Sequence, residues 1–335
     1  MSNSTPFFKD KTVLGTKSST DSRKILVIAG VHGNEHNAVL AAYRTYMKYL
    51  EETDEKCKLA HDVRFMLGVN RWGLLNNKRE WGVRTDVFPD PIQKDKPVDF
   101  NRVFTKNHVS PGNGEGAAEM RDSIMKAIDE ADIVIDVHNS PACANMVLLN
   151  NDEYTLDTVA FLTGTHHRYM VWESQTNTIK KYAIDHGKVG LTVELGCMTL
   201  DTQDETVMKN QESFLYSLIY FLDSFMPKFK KGNPLPPHLL AIPVQARAFG
   251  LIDTVNYTKY GEAKKGEVYA TMITDSDNPS DAEFKAPCDG YLVACEDKRF
   301  VKPGDEIFTW QPKVPVSADD IANAGNSEGD VNGKD

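Results

Sequence analysis

Continuous apolar runs alternate with stretches of helical periodicity over the first two thirds of the chain. The run 25–29 contains no polar residue, which is typical of a strand buried on both faces. From Glu35 to Leu50 the apolar residues recur at intervals of three and four, which predicts a helix. The same patterns predict further strands over 63–69, 133–135, 147–149 and 191–193 and further helices over 116–130 and 213–225. Such alternation predicts an α/β fold with a mostly parallel or mixed sheet flanked by helices.

The pattern changes beyond residue 228. Residues 231–237 read Lys-Gly-Asn-Pro-Leu-Pro-Pro, which is typical of a linker, and short β-like runs separated by turns follow it. We therefore predict a smaller, β-rich C-terminal domain. The predicted boundaries are a polar arm over 1–20, a main domain over 21–230, the β-domain over 231–316 and a disordered tail over 317–335.

Composition and charge exclude several classes of protein. The 335 residues are 41% hydrophobic with a formal net charge of −10, which argues against nucleic acids and anionic membranes as partners. No stretch approaches the ~20 apolar residues of a membrane span, and the first residues lack the pattern of a secretory signal. The five cysteines form no Cys-x-x-Cys motif, which fits reduced thiols. We expect a cytoplasmic protein that binds neither nucleic acid nor membrane.

Potential metal ligands follow the ends of two predicted strands. His32 and Glu35 come directly after the run 25–29, and His138 follows the strand at 133–135. Ligands of open α/β sheets bind outside the carboxyl ends of the strands, so these side chains are expected at one edge. Alone, the first pair is more often a loop histidine and a helix-start acid. Together, two histidines and a glutamate are one of the usual ligand sets of a catalytic zinc, and they predict one Zn²⁺ per chain.

Four other residues have the chemistry that such a site needs. Asp136 shares a strand face with His138, where its carboxylate would accept the second imidazole N–H. Glu194 is an ionisable residue in an apolar strand and is our candidate for the general base that, with zinc, activates water. Asn101 and Arg102 are candidates for binding a substrate carboxylate.

Residues 71–97 predict a long loop, because the stretch is rich in Gly, Pro, Asn and charged residues. Loops of that length inside a compact domain are usually functional. Two of its arginines, Arg79 and Arg84, are candidates for polarising the scissile carbonyl or binding substrate.

The motifs occur in the order that resembles the succinylglutamate desuccinylase/aspartoacylase family of the zinc carboxypeptidase-like superfamily. They are His-Gly-Asn-Glu at 32–35, Asp-Phe-Asn-Arg at 99–102, Asp-Val-His at 136–138 and Val-Glu-Leu-Gly at 193–196. The resemblance covers residues 25–225, and it makes 21–230 the catalytic domain and the β-domain a cover that shapes the active-site entrance. It implies zinc bound by His32, Glu35 and His138, Glu194 as the base, and Asn101 and Arg102 as substrate binders. It places the catalytic arginine within residues 79–84, where we prefer Arg79 and leave Arg84 open.

Three departures from the family pattern lie along the substrate loop. Arg71 stands where the family usually has proline, Phe100 stands where leucine is common, and no Phe-Pro-Gly follows Arg102. None of them affects a predicted zinc ligand. They therefore leave the identity of the substrate undetermined, but they do not affect the predicted reaction.

The predicted function is zinc-dependent hydrolysis that removes an N-acyl group from an amino acid or similar small amine. The expected partner is a small N-acyl amino acid that bears a carboxylate, and a homo-oligomer is left open. One alternative is a metallopeptidase of the carboxypeptidase type that acts on a small or cell-wall peptide. An alternative of another class is a non-catalytic metal-binding scaffold.

Overall fold

The structure of the chain, a computed structural model, groups its residues into two compact units. The first unit comprises 1–141 and 174–227, and the second comprises 142–173 and 228–335. The described residues are 10–16, 23–55, 57–82, 99–105, 116–140, 145–173, 175–196, 205–225, 232–255, 262–274, 276–295 and 300–314. The predicted tail over 317–335 lies outside them. Among these residues, no helix combines the length and apolar character needed to cross a bilayer.

Helices and strands alternate as far as α6, and strands dominate after it. The elements up to that point are β1 (Lys11–Val13), β2 (Lys24–Ala29), α1 (His36–Glu51), β3 (Asp62–Leu67), α2 (Arg71–Asn76), α3 (Ala117–Asp129), β4 (Ile133–Ser140), β5 (Met146–Asn150), α4 (Thr155–Gly164), β6 (Tyr169–Trp172), α5 (Ile179–Asp185), β7 (Val189–Gly196) and α6 (Glu205–Phe225). The strands that follow are β8 (Ile242–Gln245), β9 (Gly250–Val255), β10 (Glu262–Ala263), β11 (Val268–Thr274), β12 (Glu283–Lys285), β13 (Gly290–Cys295), β14 (Phe300–Val301) and β15 (Glu306–Pro312).

The strands of the first unit form a mixed sheet in the order β1-β3-β2-β4-β7. All neighbours are parallel except β1, which pairs antiparallel with β3 at the edge. Strands β2 and β4 are buried along nearly their whole length, as their apolar sequences predict for a sheet covered by helices. Because β3, β2, β4 and β7 run in the same direction, the turns after their carboxyl ends lie at one edge of the sheet.

The register between β4 and β7 decides which polar side chains become neighbours. Asp136 pairs with Thr192 and His138 pairs with Glu194. Paired residues in a parallel sheet share a face, so the two candidate acids and the histidine point to the same side. The same face carries Ile28 in β2, which belongs to a hydrophobic cluster with residues of α3.

The prediction of a loop over 71–97 is wrong at its start. Residues Arg71–Asn76 form the short helix α2, because the Asn70 side chain accepts a hydrogen bond from the Gly73 backbone N–H. Asn77 adopts a left-handed conformation and ends the helix. Residues 83–97 of the predicted loop lie outside the described part of the chain.

The second unit contains the predicted β-rich C-terminal region. Its strands form two antiparallel four-stranded sheets, β10-β13-β15-β8 and β12-β11-β9-β14. Trp310 and Phe308 are buried in their shared core. The parallel pair β5 and β6 belongs to the same unit, where the Val171 backbone N–H donates to Gln311 Oε1 at 2.8 Å.

The turn between β2 and α1 leaves no room for a side chain at Gly33. A Cβ atom there would lie 2.0 Å from the Gly73 carbonyl carbon in α2. We expect Gly33→Ala to displace this turn and to destabilise the protein by about 2 kcal/mol. The matched control is Gly164→Ala at the end of α4, where a Cβ would contact no atom within 4 Å. Chemical denaturation of both variants measures the effect, and equal midpoints for them would contradict the prediction.

Candidate metal centre

Three buried side chains from separate parts of the chain converge at the carboxyl edge of the sheet. His32 lies in the turn after β2, Glu35 lies directly before α1, and His138 lies in β4. The His32 Nδ1 atom is 2.8 Å from Glu35 Oε1, the His138 Nδ1 atom is 2.9 Å from Glu35 Oε2, and the two Nδ1 atoms are 3.0 Å apart. One ligand atom from each residue therefore lies within 4.8 Å of the others. This arrangement could hold a metal ion.

Glu35 faces the histidines although its position is that of a helix-capping residue. It immediately precedes α1, yet its side chain makes no capping hydrogen bond. Its Oε2 atom also accepts from the Asn139 backbone N–H at 3.2 Å. Burial would raise the pKa of this carboxyl, but His138 and His32 lower it to about 2. Glu35 is therefore an ionised side chain that could bind a cation, and it does not cap the helix.

A carboxylate holds the outer nitrogen of each histidine. His32 Nε2 lies 3.0 Å from Asp99 Oδ1, and His138 Nε2 lies 2.8 Å from Asp136 Oδ2. Each ring is thereby turned so that Nδ1 points into the cluster. A carboxylate on the far nitrogen is the usual partner of a metal-bound imidazole.

The chemistry of the donor atoms fits a divalent cation. Two imidazole nitrogens 3.0 Å apart repel each other unless a proton or a cation lies between them. Burial opposes a charge on His138, but Asp136 and Glu35 raise its pKa well above the usual value. The surroundings of His138 thus favour positive charge. Imidazole and carboxylate ligands suit a first-row metal ion.

Glu194 lies beside His138 in the neighbouring strand and is partly buried. Burial raises the pKa of its carboxyl to about 7; His138 opposes this rise and Glu35 adds to it. A carboxyl group with a pKa near neutrality can both accept and return a proton at the working pH. This raised pKa is compatible with the role of general base, which stays a prediction for Glu194.

Arg79 reaches the same cluster from the segment after α2. Its Nη1 atom donates to Glu35 Oε1 at 3.4 Å, and its Nη2 atom donates to Asp99 Oδ2 at 3.3 Å. Its backbone carbonyl accepts from the Gly33 N–H, which joins this segment to the turn after β2. The guanidinium thus borders the metal centre. Arg84 lies outside the described residues.

The two residues predicted to bind a substrate carboxylate have different surroundings. Asn101 is buried, and its amide Nδ2 donates to Asp136 Oδ2 at 3.0 Å. Arg102 is exposed, and its Nη1 atom donates to the Asn101 carbonyl at 2.8 Å. Of the two residues, Arg102 is therefore the one that is exposed to solvent.

Sequence reasoning assigned no role to Asp99, which the structure places at the centre. This carboxylate accepts from the Asn101 backbone N–H, contacts His32 and pairs with Arg79. Burial opposes its ionisation, but His32 and Arg79 hold its pKa well below the usual range. The sequence feature that could have identified Asp99 is its position in the Asp-Phe-Asn-Arg motif, two residues before Asn101.

We expect Asp99→Asn to weaken metal binding by roughly 10- to 100-fold, because the His32 ring loses the carboxylate that orients it. Competition with a chromophoric chelator measures the dissociation constant. Asp132→Asn is the matched control, since Asp132 lies at the opposite end of β4 and its carboxylate accepts from the Lys24 N–H. Unchanged affinity in Asp99→Asn would show that this contact does not support the site.

Comparisons with known proteins concern the family and the fold of the chain. Residues 21–221 match the family model described as the succinylglutamate desuccinylase/aspartoacylase catalytic domain. No functionally curated protein matches the chain. Among solved structures, an aspartoacylase family protein from Mesorhizobium loti is 15% identical with a TM-score of 0.59, and the match covers 91% of this chain and 89% of that one.

Two other solved structures show the same fold. A succinylglutamate desuccinylase from Silicibacter sp. is 14% identical with a TM-score of 0.55, over 90% of this chain and 88% of that one. The product-bound ectoine utilization protein EutE (DoeB) from Ruegeria pomeroyi is 13% identical with a TM-score of 0.57. The match covers 91% of this chain and 89% of that one. These likenesses confirm the predicted fold class, and the family match supports an amide hydrolase of the deacylase type. The chain belongs to the succinylglutamate desuccinylase/aspartoacylase family.

Proposed function

We propose that this protein is a zinc-dependent amide hydrolase that removes an N-acyl group from an amino acid or a similar small amine. The observation that supports it most is the cluster of His32, Glu35 and His138, in which both outer imidazole nitrogens contact carboxylates. Two histidines and one glutamate are a common ligand set of catalytic zinc and leave a coordination position open. Bound zinc would supply a Lewis acid that polarises the scissile carbonyl and lowers the pKa of water.

Glu194 is the proposed general base. Its carboxylate removes a proton from the attacking water as the new C–O bond forms at the acyl carbon. It then delivers that proton to the amide nitrogen as the C–N bond breaks. The products are a carboxylic acid, which keeps the second proton of the water, and a free amine. The pKa of about 7 suits both transfers, because the group is close to half-ionised at neutral pH.

Arg79 and Arg102 are proposed to act on the substrate. The Arg79 guanidinium borders Glu35 and would stabilise negative charge on the carbonyl oxygen during attack. The exposed guanidinium of Arg102 offers a bidentate site for the substrate carboxylate. A role for Arg84 in substrate binding stays a prediction.

We expect Glu194→Gln to lower kcat by roughly 10²- to 10⁴-fold, because glutamine cannot accept the proton from water. The variant should retain one zinc per chain, since Glu194 is not among the three proposed ligands. Steady-state kinetics and elemental analysis of the same sample test both statements. Full turnover with zinc bound would exclude Glu194 as the base.

A small N-acyl amino acid is favoured over a peptide as substrate. Succinylglutamate, named in the family description, is itself an N-acylated amino acid. A metallopeptidase of the carboxypeptidase type is the alternative within hydrolases. A metal-binding scaffold is less well supported, because the proposed ligands, the base and Arg79 occur together.

We expect zinc-loaded protein to release free amino acids from a panel of N-acyl amino acids and to leave short peptides intact. Mass spectrometry of the products separates deacylase from peptidase. Hydrolysis of peptides alone would favour the metallopeptidase. Protein that binds zinc but hydrolyses neither class of substrate would favour the metal-binding scaffold. Cytoplasmic location and homo-oligomer formation stay predictions.

A further inference from the structure

We propose that Trp81 is a positioning residue that helps to select the substrate. Its ring contact with Phe100 sets the separation between the Arg79 guanidinium and the Asn-Arg pair at 101–102, which the sequence predicts to bind the substrate carboxylate. That separation determines how far the carboxylate of an accepted substrate lies from its scissile carbonyl. The inference rests on the proposed function, in which Arg79 acts at the carbonyl. Sequence reasoning assigned no role to Trp81.

Trp81 and Phe100 form a buried aromatic contact between two separate segments of the chain. Their ring centroids lie 5.0 Å apart, and only 6% of Trp81 and 2% of Phe100 is exposed. Phe100 also contacts Phe104 edge to face, with centroids 5.6 Å apart. All three rings belong to the hydrophobic cluster that includes residues of α3. Because large rings in a close-packed core have few alternative positions, their contact fixes the distance between the two backbones.

The segment that carries Trp81 also carries Arg79. The Arg79 carbonyl accepts from the Gly33 N–H at 3.2 Å and from Asn70 Nδ2 at 3.3 Å, so the backbone here is tied to the turn after β2. Two residues later, Trp81 anchors the same segment in the hydrophobic cluster. The Arg79 guanidinium therefore extends from a short segment that is held by its own carbonyl and by the Trp81 ring.

Phe100 holds the other segment. It is the first residue of the 3-10 helix Phe100–Arg102 and directly precedes Asn101. A single turn of helix has little internal freedom, so a shift of the Phe100 ring in the cluster would move the backbone of the Asn-Arg pair. The position of that pair thus depends on how Phe100 packs against Trp81.

An ion pair joins the same two segments, but it is less suited to fix their separation. Arg79 Nη2 lies 3.3 Å from Asp99 Oδ2, with 43% and 27% of the two side chains exposed. Water and salt weaken partly exposed ion pairs, and a long arginine side chain can keep such a contact while the backbone moves. A change in backbone separation would instead open a gap between the buried rings of Trp81 and Phe100, which is unfavourable.

The test measures selectivity for the position of the carboxylate, because a purely structural role would lower activity towards every substrate alike. The test compounds carry the acyl group that the N-acyl amino acid panel identifies on glycine, β-alanine and 4-aminobutyrate. Along this series the carboxylate moves away from the amide by one methylene at a time. We expect wild-type kcat/KM to differ by roughly tenfold or more between the best compound and its neighbour. Where turnover is too slow, inhibition constants against the best compound give the same comparison.

We expect Trp81→Leu to reduce this selectivity ratio by at least about fivefold, because the two substrate-binding groups lose their fixed separation. Trp81→Phe keeps a ring against Phe100 and should retain most of the selectivity. Phe100→Leu introduces the residue that is common in the family and should act like Trp81→Leu. The double variant should lose no more selectivity than either single variant, since both remove the same contact.

Phe65→Leu is the matched control. Phe65 is a fully buried residue of β3, and its ring packs edge to face against Tyr46 of α1 with centroids 5.6 Å apart. The same substitution at this position should lower the melting temperature, as loss of buried volume does, and leave the selectivity ratio unchanged. Trp81→Met replaces Trp81→Leu if that variant does not fold.

An unchanged ratio in folded Trp81→Leu and Phe100→Leu would overturn the inference and leave both residues a role in core packing alone. Wild-type protein that accepts the three compounds equally well would also overturn it. Either result leaves the proposed function intact, because the N-acyl amino acids of the panel are still hydrolysed. Wild-type protein that hydrolyses no N-acyl amino acid would instead overturn the proposed function, and the role of Trp81 with it.

Discussion

The site depends on charge-assisted hydrogen bonds that turn two imidazole rings towards each other. Asp99 and Asp136 hold the outer nitrogens, and Glu35 lies between the inner ones. Burying an unpaired carboxylate costs several kcal/mol, so these acids are stable in the interior only with cationic partners. Opposite charges from the rings lower the pKa of Glu35 to about 2. The same interactions that keep the acids ionised therefore position the nitrogen and oxygen atoms that could bind a metal ion.

The parallel sheet makes this arrangement possible. Polar residues placed after β2 and late in β4 and β7 meet at one edge because these strands run in the same direction. The burial of apolar residues earlier in these strands is favourable, and it offsets the free-energy cost of burying charged groups nearby. Register then places Glu194 beside His138 rather than one residue away, where its side chain would point to the opposite face.

The segment around residue 100 links the sheet to the surrounding helices. Asp99 accepts from the Asn101 N–H at the start of a short 3-10 helix, and the Asn101 amide reaches both β4 and α5. Arg79 approaches from the other side through the residues that follow α2. Four chain segments that are remote in sequence are thus joined by hydrogen bonds at a single point.

Much of the fold and of the candidate metal site was determined by the sequence alone. Uninterrupted apolar runs such as 25–29 specify buried strands, and His32, Glu35 and His138 occur directly after two of them. Helix α2 was missed because its cap, Asn70, stands in a stretch whose composition is typical of loops. The contacts of Asp99 and Asn101 were decided only by tertiary structure, since hydrogen bonds between residues 67 or 78 positions apart leave no local pattern. Residue types and strand ends determine which groups can form the site, whereas the register and the packing of distant segments decide which of them touch.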